Sequence, residues 1–106
     1  MLDACETANI VPIVMKITSW TNGTNEQMLI RDEWNTDLAA LVATYTCAVC
    51  VDLDSAVGQN RVGGAVNNLW DIKNAYNADG VHFNLDGYAA IASKIITEIK
   101  KKYKII

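Results

Sequence analysis

Residues 9–18 read NIVPIVMKIT, a nearly unbroken apolar run rich in β-branched side chains. Such a run is expected of a strand covered on both faces, as the strands of a parallel sheet are. Pro12 belongs near its start, because proline cannot donate to a central ladder. A second run of this kind, TCAVCVDL, spans residues 46–53. Between the two, SWTNGTN (19–25) is a polar loop with an Asn22-Gly23 turn signal. Asn25 is placed to cap a helix that continues to about Thr44. Its apolar face carries Ile30, Trp34, Leu38, Leu41 and Tyr45, which assigns Trp34 to the core.

Working outward, Met1 to Ala8 has the spacing of a short helix, with Leu2, Cys5 and Ala8 along one face. After the second strand, DSAVGQNRVGG (54–64) is a glycine-containing loop. A short helix is expected around Asn68 to Tyr76. Asn84 caps the last helix, Asp86 lies in its first turn, and Tyr88, Ala92, Ile95, Ile99 and Tyr103 form its apolar stripe. Strands alternating with helices predict a single α/β layered domain over residues 1–106, built on a parallel sheet. Two parallel strands make a poor sheet alone, and the first needs a neighbour on each side. The chain therefore reads as one part of a larger sheet, and Met1 resembles an internal methionine of a longer protein.

Half of the 106 residues are hydrophobic and a fifth are charged, which is a globular composition. The net charge of −3 and the lack of a broad basic patch argue against a nucleic-acid partner. Lys100, Lys101, Lys102 and Lys104 sit at a helix end, where cations complement the macrodipole. No segment has the length and apolarity of a membrane span, and the first residues lack the basic region of a secretory signal. Cys5, Cys47 and Cys50 are an odd number and give no complete disulfide framework. On a strand Cys47 and Cys50 point to opposite faces, so they are read as packing residues. Gly58, Gly63 and Gly64 match no nucleotide-binding fingerprint, and no cofactor is expected.

The chemistry concentrates in NADGVHFNLDGYAAIASKI (77–95), which holds the chain's one histidine, His82. A carboxylate three residues earlier, Asp79, can turn back to accept the imidazole Nδ1–H. That fixes the tautomer, leaves Nε2 as a proton acceptor and stabilises the imidazolium formed in acyl transfer. Gly80 supplies backbone freedom for the turn. Spacing alone also fits an ordinary surface or capping histidine.

The string DGVHFNLDGYAAIASKI resembles the last conserved block of the SGNH, or GDSL-type, hydrolases, matching at Asp79, His82, Gly87 and Tyr88. IVPIVMKIT with its loop and long helix is similar to that family's fourth strand and crossover, and CAVCVDL to its fifth strand. The resemblance covers essentially the whole chain but only the C-terminal half of the family's fold. It implies a partial flavodoxin-like α/β/α sandwich that hydrolyses small acyl esters, including those of acetylated carbohydrates. His82 is then the general base, oriented by Asp79. The family's nucleophilic Gly-Asp-Ser block and its oxyanion-hole residues have no counterpart here.

Ser19 and Ser55 follow the two strands, at the sheet edge where α/β proteins place ligands, and are candidate substitutes. Ser93 falls mid-helix and is structural. Asp52 and Asp54 share a strand face but lack the further oxygen ligands of a metal site. Trp20 is open between core and ligand wall. An alternative is a catalytically inactive truncated α/β module that folds by oligomerisation. Either way the open first strand predicts a homodimer or higher homo-oligomer.

Overall fold

The computed structural model describes residues 1–61 and 70–104. Its elements in chain order are α1 (Leu2–Thr7), β1 (Ile13–Met15), α2 (Asn25–Ala43), β2 (Val49–Val51), α3 (Asp54–Val57), β3 (Gly58–Asn60), β4 (Trp70–Ile72), a 3₁₀ turn (Asn74–Tyr76) and α4 (Leu85–Tyr103). β1 and β2 pair in parallel, Ile13 opposite Val49 and Met15 opposite Val51, with α2 as the crossover. The fold is thus mixed α/β with a small parallel sheet.

The expected short helix over Asn68–Tyr76 is replaced, within the described residues, by β4 and a 3₁₀ turn. β4 pairs antiparallel with β3. Trp70 and Ile72 alternate with Asp71, and this period of two outweighs helical propensity once a partner strand lies alongside. The sequence patterns fixed neither β3 nor that second sheet, because GQN carries no apolar period.

The core lies on one face of β2, where Val49, Val51, Leu53 and Val57 are buried together. Tyr76, Phe83, Ala90, Ile91 and Ile95 pack against them. Each such buried aliphatic side chain contributes about 1.5–3 kcal/mol over leaving it in water. α4 therefore faces the sheet through Gly87, Ala90, Ile91 and Ile95, rotated from the expected stripe, so that Tyr88 and Ala92 are exposed. Gly87 fixes that orientation. A Cβ there would stand 2.9 Å from both the Tyr76 carbonyl oxygen and Phe83 Cβ.

α2 departs from its apolar stripe more sharply. Its buried residues are Met28, Arg31, Asn35 and Val42, whereas Ile30, Trp34 and Leu41 are exposed, Trp34 by 65%. The assignment of Trp34 to the core is thereby corrected. Polar pairing decides the helix rotation. Arg31 donates to the Asp54 and Asp32 carboxylates, and the Asn35 carboxamide bonds the Ile17 peptide at 2.8 and 2.9 Å. The helix begins one residue earlier than expected, with Thr24 rather than Asn25 as its cap. Thr24 Oγ1 accepts the Gln27 N–H at 3.1 Å and Gln27 Oε1 accepts the Thr24 N–H at 2.8 Å, a reciprocal capping box.

β1 also differs from the buried strand expected of its sequence. Ile13 is 42% and Met15 49% exposed, because β1 has a strand neighbour on one side only among the described residues. At the opposite end, α4 finishes with Lys100, Lys101 and Lys102 in its last turn, and Tyr103 donates its hydroxyl to the Cys47 carbonyl at 2.5 Å. Cys5, Cys47 and Cys50 are free and half-buried; Cys50 lies in β2, while Cys47 precedes it in a turn.

Candidate functional site

Asp79 and His82 are brought together as their spacing suggests. Asp79 Oδ2 lies 2.7 Å from His82 Nδ1. The other oxygen, Oδ1, accepts the backbone N–H groups of Val81 at 2.9 Å and His82 at 2.7 Å. Both carboxylate oxygens are thus engaged, and the His82 backbone N–H, the imidazole and the Val81 N–H, in that order, pull the Asp79 carboxyl from its ordinary 3.8 down to about 2. The pair is open to solvent, with the His82 side chain 69% and Asp79 56% exposed. Nδ1 is the ring atom that faces Asp79, which makes Nε2 the atom free to take a proton.

The loop carrying the pair is closed on itself. The Ala78 N–H donates to the His82 carbonyl at 3.0 Å, and Asn77 bridges Phe83. Gly80 adopts φ +92°, a conformation that a side chain would strain. Its N–H donates to Asn77 Oδ1 at 2.6 Å. Asn84 locks the loop to α4: Oδ1 accepts the Gly87 N–H at 2.9 Å while Nδ2 donates to the Ala75 carbonyl at 2.9 Å. Phe83 and Tyr88 stack edge to face with ring centres 5.9 Å apart.

The loop also meets the segment that leaves β1. Thr21 donates its N–H to the Gly80 carbonyl at 2.8 Å, and Asn77 Nδ2 donates to Thr21 Oγ1 at 3.3 Å. The Asp79–His82 pair therefore sits beside the C-terminal edge of the parallel sheet. A polar cleft of about 380 Å³ opens there, lined by Thr21, Asn22, Asn74, Asn77, Asp79 and Gly80 among others. A second clamp holds the same segment. Arg61 pairs with Asp71 through Nε and Nη2 at 2.7 to 3.2 Å and reaches the Gly23 carbonyl at 2.9 Å. Burial raises the Asp71 carboxyl, but Arg61 and the Asn22 N–H outweigh it and leave it below the ordinary range.

The candidate serines do not join this pair. Ser19 is 2% exposed, its hydroxyl has no partner among the described residues, and its N–H donates to Asp54 Oδ1 at 3.1 Å. Ser55 is exposed and gives its hydroxyl to the Asp52 carbonyl at 2.9 Å. Ser93 is exposed along α4. Among the described residues no hydrogen bond links His82 to a serine.

Asp52 and Asp54 are not neighbours on a strand face. β2 ends at Val51, and Asp54 opens α3, where it is the ion-pair partner of buried Arg31. No group of three His, Cys, Asp or Glu side chains placed to hold a metal ion occurs among the described residues. Trp20, half-buried, lines an apolar cleft with Ile17, Ile30 and Trp34, away from the polar one. Sequence reasoning missed the Arg31–Asp54 and Arg61–Asp71 pairs. Partners 23 and 10 residues apart leave no periodic signal.

No protein-family model matches the chain, and no curated protein matches it. No helix among the described residues is long and apolar enough to cross a membrane.

Proposed function

We propose that the chain is the C-terminal part of a carboxylic ester hydrolase of the SGNH, or GDSL-type, kind, acting on small acyl esters such as those of acetylated carbohydrates. Its fold is then a partial flavodoxin-like α/β/α sandwich that associates with further copies of itself. The 2.7 Å Asp79–His82 contact, on a loop at the C-terminal edge of a parallel sheet, carries this reading. His82 Nε2 takes the proton of a nucleophilic hydroxyl as it attacks the acyl carbon, then returns it to the departing alkoxide. Water repeats the cycle on the acyl-enzyme. Asp79 holds the imidazole in register and stabilises its charged form.

Of the two candidate nucleophiles only Ser55 is exposed, and its hydroxyl must leave the Asp52 carbonyl to reach the base, whereas Ser19 is buried. Those two observations also favour a second reading, an inactive α/β module that keeps the base loop without the serine. Saturable hydrolysis of p-nitrophenyl acetate, measured for the wild type and for His82→Ala, Ser19→Ala and Ser55→Ala, separates them. A hydrolase loses its saturable rate in His82→Ala and labels with a serine-directed phosphonate. Equal, non-saturating rates in all four proteins and no phosphonate adduct leave the inactive module.

A further inference from the structure

β1 has an outer edge that nothing in the described chain covers, and its backbone geometry defines what fits there. The Pro12 carbonyl accepts from Val49 at 2.9 Å and the Lys16 N–H donates to Val51 at 2.9 Å, so residues 12, 14 and 16 turn their polar groups toward β2. Alternation along a strand then turns the N–H and C=O of Val11, Ile13 and Met15 outward. The next outward residue, Ile17, is already satisfied. The Asn35 carboxamide accepts its N–H and donates to its C=O, as a neighbouring peptide does. The open ladder therefore runs from Val11 to Met15 and stops there.

Edges of this kind are ordinarily blunted by charge or a bulge. β1 is short, but residues 10–15, IVPIVM, carry no charge, and Pro12 turns toward β2, so its missing N–H leaves the outer ladder intact. Val11, Ile13 and Met15 are all exposed, and beside them Ile17 and Trp34 line two apolar clefts of about 310 and 260 Å³. Ile13, Met15, Ile17, Ile30, Trp34 and Leu41 together expose on the order of 650 Å², within the roughly 600–1,000 Å² that each partner gives to a standard interface.

We infer that β1 pairs antiparallel with β1 of a second copy of this chain, about a two-fold axis through Ile13 and perpendicular to the sheet. Ile13 faces Ile13 of the second copy, and Val11 and Met15 face each other across the junction. These are three hydrogen-bonded residue pairs, each exchanging two backbone bonds. The sheet becomes four strands in the order β2-β1-β1-β2, and the edge disappears. The interface is isologous, so it closes at two copies. Asn35 sets its length, because it occupies the next outward site on each side. This inference rests on the self-association proposed above and is independent of ester hydrolysis.

Sedimentation equilibrium of the wild-type chain tests it, together with air oxidation of Ile13→Cys and, as register controls, Met15→Cys and Lys16→Cys. A hydrogen-bonded pair sets its Cα atoms about 5.5 Å apart, inside disulfide range, whereas identical residues further from the axis are too distant. The expected results are twice the 11.6 kDa chain mass and a disulfide-linked dimer from Ile13→Cys well above the level in the wild type and both controls. Met15→Lys, which adds charge at an exposed side chain, should weaken dimerisation at least tenfold with an unchanged far-ultraviolet spectrum. A folded wild-type monomer at about 100 μM, two orders above a micromolar Kd, overturns the inference. So does a dimer in which Ile13→Cys cross-links no better than the controls. Neither result bears on the p-nitrophenyl acetate assay, so failure of the pairing and failure of the hydrolase reading are distinguishable.

Discussion

The Thr21 N–H donates to the Gly80 carbonyl across 2.8 Å, which ties the base-bearing loop to the segment that leaves β1. Two stretches far apart in sequence thereby share one polar cleft, and Gly80 is their meeting point. A side chain at Gly80 has room, since the nearest atom to an added Cβ is Thr21 Cβ at 3.6 Å. The cost lies in the positive φ. Gly80→Ala should destabilise by about 1 kcal/mol or more through backbone strain alone, read as a lower urea midpoint at unchanged m-value.

Gly87→Ala should cost more than Gly80→Ala, about 1–3 kcal/mol. There the added methyl meets a backbone carbonyl and Phe83 Cβ at 2.9 Å, and α4 must shift away from the 3₁₀ turn. The same urea titration ranks the two variants. The reverse order would show that α4 docks more loosely than the Phe83–Tyr76 packing implies.

Asp79 should titrate near pH 2, well below a free aspartate. A depressed carboxyl favours the folded state above its unfolded value, and that contribution fades as pH falls through the folded value. The window for losing this contribution is therefore from about pH 4 down to about pH 2. In His82→Ala the imidazole bond is gone but the backbone N–H groups of residues 81 and 82 remain. The Asp79 midpoint should rise part of the way and stay below normal. Side-chain carboxyl carbon shifts followed by NMR measure both midpoints, and an unchanged Asp79 value in His82→Ala would deny the side-chain pairing in solution.

Removing Asp54 should be among the most damaging single changes in the chain. Arg31 is 4% exposed, and Asp54 is the less exposed of its two carboxylate partners. Asp54→Ala leaves a buried guanidinium with only Asp32, at a cost of roughly 3–5 kcal/mol. Arg31→Met removes the charge itself and should cost distinctly less. Thermal or urea unfolding of the two variants gives the comparison.

Ser19→Ala should be neutral or stabilising by up to about 1 kcal/mol, because the buried hydroxyl it removes has no partner among the described residues. The variant should also leave any esterase rate untouched. A large loss of stability would mean that the hydroxyl is hydrogen-bonded in solution.

The site's inner contact was legible in the chain, since residues three apart on a turn with glycine between them can only meet locally. Asp79 and His82 needed no tertiary information. The same holds for the Asn84 cap, for Pro12 just ahead of β1, and for two strands joined by a long helical crossover, all set by local sterics and hydrophobic period. Which face each helix buries was decided elsewhere. Arg31 and Asn35 draw α2 onto the sheet through bonds to Asp54 and Ile17, and this turns an apolar stripe outward that periodicity alone would bury. Trp70–Ile72 became a strand only because Gly58–Asn60 lies beside it. Ser19 passed from candidate nucleophile to buried hydroxyl by the packing of the loop after β1. Local sequence determines what each segment can form and which near neighbours react to one another. The tertiary structure decides burial, because long-range polar pairs compete with hydrophobic period for the same helix face, and a single chain's periodicity records only one side of that competition.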